Sequence, residues 1–194
     1  MKIFRSIKPS YVFQKFGKEN TYLSVLALYQ SLGLSGHNGY DFSAKDGDTI
    51  YWDCSLEGEV IGLSTDLNAG YGIEILTEEN GKLHKHRFWH LRTDGILVKA
   101  GQKVGSGDLI ALADNTGKYT TGTHLHRDLK ECKRLPNGVL ETLNTNNGYL
   151  GAIDLKPFYV DMFIGDYIAN QQGQISILQK MIKLISDFLK VGLN

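Results

Sequence analysis

Proline and cysteine are scarce in this chain, with three and two among 194 residues. Two cysteines cannot build a disulfide framework or a cysteine zinc cluster. Cys54 and Cys132 show no metal spacing, nothing supports a disulfide between them, and they read as buried free thiols. An excess of one charge is also missing: Lys plus Arg and Asp plus Glu each total 21. That balance gives no electrostatic footing for nucleic acid. No run of about eighteen apolar residues occurs, so no integral membrane span is expected. The opening Met1-Lys2-Ile3-Phe4-Arg5-Ser6-Ile7-Lys8-Pro9 lacks the apolar stretch of a secretory signal.

What is abundant is glycine, at 22 residues, together with Val, Ile, Tyr, Thr and Phe. This mixture predicts strands joined by tight turns. Candidate strands are 11–16, 39–43, 49–52, 58–65, 71–77, 82–91, 108–112 and 124–130. Turn signals such as Glu79-Asn80-Gly81 and Asn115-Thr116-Gly117 separate them. The fold class is therefore mainly β, a small antiparallel sheet or sandwich core. Apolar spacing over 20–32 predicts one short N-terminal helix. Residues 165–174 read as a linker. Over 175–194 two rows of apolar residues at alternating three and four spacings predict a C-terminal amphipathic helix. It has three readings: docked on its own domain, self-associating in a short coiled coil, or lying on a membrane surface.

The six histidines carry the chemistry. His124 and His126 flank Leu125 in a probable strand, so both imidazoles face one side with Cα atoms about 6.5 Å apart. His37 and Asp41 are both acceptable zinc ligands. A fully extended chain would hold them about 13 Å apart, so they can share an ion only if the segment bends, and Gly36 and Gly39 allow that. Otherwise Asp41 caps a turn and His37 is merely exposed. Two histidines, one carboxylate and an open position make the composition of a hydrolytic zinc site. His90 is a candidate second acid/base group or a structural histidine. In a regular strand His84 and His86 share its face, and they read as rim residues.

In order along the chain these residues resemble the lysostaphin/LytM-type zinc endopeptidases. Phe13-Gln14-Lys15-Phe16-Gly17 resembles the family's opening strand, and Gly36-His37-Asn38-Gly39-Tyr40-Asp41-Phe42 its His-x-x-x-Asp motif. Phe88-Trp89-His90-Leu91 resembles the segment carrying one catalytic histidine, and Thr121-Gly122-Thr123-His124-Leu125-His126 the closing motif. The resemblance covers about residues 11–163. It departs from the family at Thr123, Arg127 and Asp128, and around Tyr51-Trp52-Asp53-Cys54, which is bulkier than expected.

The resemblance implies a sheet floor forming a long substrate groove. His37, Asp41 and His126 would hold one Zn2+ per chain, with His124 and His90 as catalytic histidines. The implied activity is hydrolysis of peptide bonds in bacterial peptidoglycan, in stem peptide or cross-bridge. The alternative is a non-catalytic member that binds the wall or activates another hydrolase. The implied organisation is a zinc peptidase domain over 1–164, the linker, then the helix. His124 is the first choice of general base because strand geometry sets it beside His126; His90 would orient the water, donate to the leaving amine or stabilise the oxyanion. An enzyme acting on the cell wall without a signal sequence fits phage-type release, attachment to a virion, or a trimmed secreted form.

Overall fold

The computed structural model describes residues 1–191. Its elements run β1 (Ile3–Arg5), β2 (Val12–Gln14), α1 (Leu23–Ser31), β3 (Tyr40–Ser43), β4 (Thr49–Tyr51), β5 (Gly58–Asp66), β6 (Gly70–Glu79) and β7 (Lys82–Ile96). There follow β8 (Lys103–Val104), β9 (Leu109–Ala113), β10 (His124–Arg134), β11 (Leu140–Thr142), β12 (Ala152–Ile153), β13 (Tyr159–Phe163) and α2 (Ile164–Val191). The main sheet is antiparallel and runs β2-β3-β10-β7-β6-β5-β8. β11 and β12 pair with β10, β4 pairs with β9, and β9 with β7. β1 and β13 form a separate parallel pair.

Two-residue alternation sorts the side chains of this sheet. Phe42, Leu125, Leu129, Phe88, Ile73 and Ile75 point to one face and are buried there with Trp52, Val60 and Ile110. The opposite face carries Asp41, His124, His126 and Asp128. Register locks the arrangement, because a slip by one residue would exchange the faces. Leu125 lies opposite Phe42, and His126 opposite Asp41 on one side and Trp89 on the other.

The bulky 51–54 stretch is core material. Trp52, Asp53 and Cys54 are buried, and the indole Nε1–H donates to the Leu56 carbonyl at 2.8 Å. Asp53 meets the other departure from the family pattern. Arg127, equally buried, donates from Nε and Nη2 to its two carboxylate oxygens at 3.1 and 3.2 Å. The Arg127 guanidinium also sits 4.4 Å from the Phe88 ring centre.

The segment 165–174 is not an extended linker; it is the first part of α2. Gly165, Gly173 and the Asn170-Gln171-Gln172 run weaken helix propensity there, but tertiary packing overrides it. Ile164 is buried and Tyr167 stacks on Phe4 with ring centres 4.4 Å apart. Asp166 lies in the first turn, where a carboxylate complements the helix dipole, and receives Lys8 Nζ at 2.7 Å. Farther along, Ile175, Ile177, Leu178, Met181, Ile182 and Ile185 are all exposed. No helix among the described residues is long and apolar enough to cross a membrane. Residues 192–194 of the expected helix lie outside the described residues.

Candidate metal centre

The pairing of β3 with β10 creates the site. Asp41, second in β3, lies directly across from His126, third in β10. His37 precedes β3 and is tied to the chain before α1 by a bridge to Gly17. The segment between His37 and Asp41 bends as their spacing required, and His37 Nε2 comes to 3.1 Å from Asp41 Oδ1. His126 Nδ1 is 3.0 Å from that His37 nitrogen and 2.9 Å from the same Asp41 oxygen. Gly39 is needed for space rather than for a left-handed turn. A Cβ there would stand 2.6 Å from the Arg127 carbonyl oxygen and 2.8 Å from His126 Nε2.

These three atoms suit a cation. His37 Nδ1–H donates to the Lys15 carbonyl at 3.0 Å, so its Nε2 presents a lone pair. Two imidazole nitrogens and a carboxylate oxygen facing one another are acceptors with a common need for positive charge. Tetrahedral ligation at about 2.0–2.1 Å separates neighbouring ligand atoms by about 3.3 Å, close to the spacing found. Burial opposes ionisation of Asp41, but the adjoining His37 and His126 imidazoles, when they carry protons on this side, outweigh it, and a cation among the three atoms would act in the same sense. The two imidazoles hold the carboxyl well below its usual range.

Two further imidazoles border the cluster. His124 Nδ1–H donates to the Gly122 carbonyl at 2.8 Å, which turns Nε2 toward Asp41 Oδ1, 3.8 Å away. His90 Nδ1–H donates to the Thr116 carbonyl at 2.8 Å, and its ring centre is 4.5 Å from that of His124. Burial, then the His124 and His126 charges, push the His90 imidazole down to about 4, so it is neutral near pH 7.

His90 reaches the site by breaking the strand. Phe88 pairs with Ile73 but Leu91 with Tyr71, so β7 spends one more residue than β6 over this stretch. His90 sits in that bulge with φ of 63°, a left-handed conformation that re-aims its side chain. His84 and His86 keep the regular phase and are therefore not rim residues. Both are buried on the core face, His86 between Thr77 Oγ1 at 2.8 Å and the Arg127 guanidinium.

Sequence reasoning missed Asp128 and Arg87. Asp128 is fully buried with Oδ2 3.7 Å from His126 Nε2, and it accepts Arg87 Nε at 2.8 and 3.1 Å. The signal was available: two-residue alternation from His126 puts Asp128 on the same face. A cavity of about 570 Å³ extends over the site. Tyr22, Val25, Leu28 and Tyr29 from in and beside α1 form one apolar wall, with Trp89 and Tyr119 also lining it.

A family description for peptidase family M23 matches residues 35–137. Peptidoglycan DD-endopeptidase ShyA of Vibrio cholerae is 40% identical over 93 residues, 48% of this chain and 20% of its own length. The chain thus spans about a fifth of that curated relative. Among solved structures, LytU is similar with a TM-score of 0.54 and 28% identity, covering 78% of this chain and 85% of its own. A zinc-containing peptidase from Vibrio cholerae gives a TM-score of 0.55 and 27% identity, covering 84% of this chain and 41% of its own.

Proposed function

The chain belongs to peptidase family M23, the lysostaphin/LytM type read from its motifs, and from that premise we propose that it is a zinc-dependent endopeptidase of bacterial peptidoglycan. The observation that carries this reading is the meeting of three acceptor atoms from His37, Asp41 and His126 beside two further imidazoles. In this reading those three residues hold one Zn2+ per chain. When bound there, zinc supplies Lewis acidity, polarising a carbonyl oxygen and lowering the pKa of water to roughly 7.

The chain's own residues do the rest. His124, with Nδ1–H spent on Gly122, offers Nε2 as general base to the attacking water and then returns the proton to the leaving amine. His90 is neutral near pH 7 with Nδ1–H spent on Thr116, so Nε2 can only accept. Its role is to orient the water rather than to donate to an oxyanion. The wall beside α1 and the sheet floor hold an extended peptide and limit the access of bulk water. The activity named for ShyA makes the stem peptide the first substrate to test, with cross-bridges second.

The test is digestion of purified sacculi of several cross-link chemistries, with new amino termini read by mass spectrometry. The expected result is internal peptide cleavage that a chelator abolishes and zinc restores. Binding of sacculi by the zinc-loaded chain without cleavage of any wall type would refute hydrolysis and favour a wall-binding or hydrolase-activating module.

A further inference from the structure

We propose that Asp128, held in place by Arg87, is a positioning residue that fixes the His126 ring with Nδ1 toward the metal. The inference rests on reading His126 as a ligand. His126 turns Nδ1 toward His37 and Asp41 at 3.0 and 2.9 Å, and Nε2 toward Asp128 Oδ2 at 3.7 Å. A neutral imidazole with its lone pair on Nδ1 must carry its proton on Nε2. A carboxylate on that side favours this tautomer over the other and makes the ring a stronger ligand. The 3.7 Å separation is an ion-pair distance rather than a hydrogen bond, and such contacts in active sites tighten when the site is loaded.

Asp128 is itself held. Its side chain is fully buried, so the carboxylate cannot rely on water and needs a fixed partner. Arg87 lies directly across the ladder from Asp128, two pairs beyond His126 and Trp89 and so on the same face of the sheet. Its Nε–H reaches both carboxylate oxygens at 2.8 and 3.1 Å, and its guanidinium sits 5.3 Å from the Trp89 ring centre. Two successive cross-strand pairs of the same face thus orient one ring, while the missing side chain at Gly39 leaves its Nε2 edge uncrowded. The Lys15 carbonyl does the same service for His37. Each histidine of the cluster therefore has its second nitrogen assigned by the fold.

The experiment is competition for zinc against a chromogenic chelator, comparing the wild type with Asp128→Asn and Asp128→Glu. Asp128→Asn is expected to weaken zinc binding by about 10–100-fold, and Asp128→Glu to recover most of it. Should Asp128→Asn fail to fold, ring ¹⁵N spectra of the zinc-loaded wild type decide instead. They should show His126 bound through Nδ1, with its Nε2 proton shifted downfield and protected from exchange by the Asp128 carboxylate, whereas a merely structural Asp128 would leave that proton at an ordinary shift and exchanging freely. Ligation through Nε2, or folded Asp128→Asn that binds zinc within roughly twofold of wild type, would overturn the proposal. A wild type that binds no zinc would instead defeat the reading of the site on which this one stands.

Discussion

Replacing Arg127 by Met tests the packing that supports the centre. The guanidinium is buried, donates twice to Asp53, donates from Nη1 to the Asp128 carbonyl at 2.7 Å, and packs on Phe88. Met keeps much of the stem but removes every one of those donors. Asp53, also buried, is then left with Ser6 Oγ at 2.8 Å as its remaining side-chain donor. Removing one partner of a buried ion pair costs about 3–5 kcal/mol, because an uncompensated charge stays behind. At about 2–4 °C per kcal/mol for a chain of this size, Arg127→Met should melt about 6–20 °C below wild type. The assay is thermal and denaturant unfolding of the two single variants and the double variant Arg127→Met with Asp53→Asn. The double variant should lose less than the sum of the singles, since it also reduces the stranded charge. A loss under about 1 kcal/mol for Arg127→Met, or strict additivity, would refute the argument.

Gly39→Ala should weaken zinc binding by at least about tenfold. The new Cβ would press on His126 Nε2 and the Arg127 carbonyl, and unchanged affinity by calorimetry would show that the space is not needed. His86 should make the fold acid-sensitive. Burial, then the Arg127 charge, push its imidazole well below the usual value. The unfolded chain therefore takes up a proton near pH 6.5 that the folded chain refuses, and stability present above that pH is lost as it falls. Between about pH 6.5 and 5, wild type should lose up to about 1.4 kcal/mol more per pH unit than His86→Gln; equal slopes would contradict this.

Much of the fold follows from two-residue alternation and turn chemistry. The long strands β5, β6, β7 and β10 begin within one residue of their expected starts. The short strands β1, β8, β12 and β13 were not legible, because two to five residues carry too little pattern to separate from loop. At the centre, the bend from His37 to Asp41 could be reasoned from reach alone. The company of His90 could not. Regular phase groups it with His84 and His86, and only the bulge at its left-handed backbone turns it to the other face. Arg127 and the 51–54 stretch each looked anomalous by itself. They answer one another through the Arg127–Asp53 pair, a contact 74 positions apart that no local pattern encodes. The start of α2 was hidden because its first turns are held by Phe4 and Lys8, from the other end of the chain.

The most direct test of the central claim is the zinc content of purified chains after equilibrium dialysis, comparing wild type with His37→Ala, Asp41→Ala, His126→Ala and His124→Ala. The account predicts one zinc per chain in wild type and in His124→Ala, which should nonetheless cleave nothing. The three ligand variants should hold little or none. Zinc retained by His126→Ala, or lost from His124→Ala, would contradict the division between the residues that hold the metal and the residue that moves the proton.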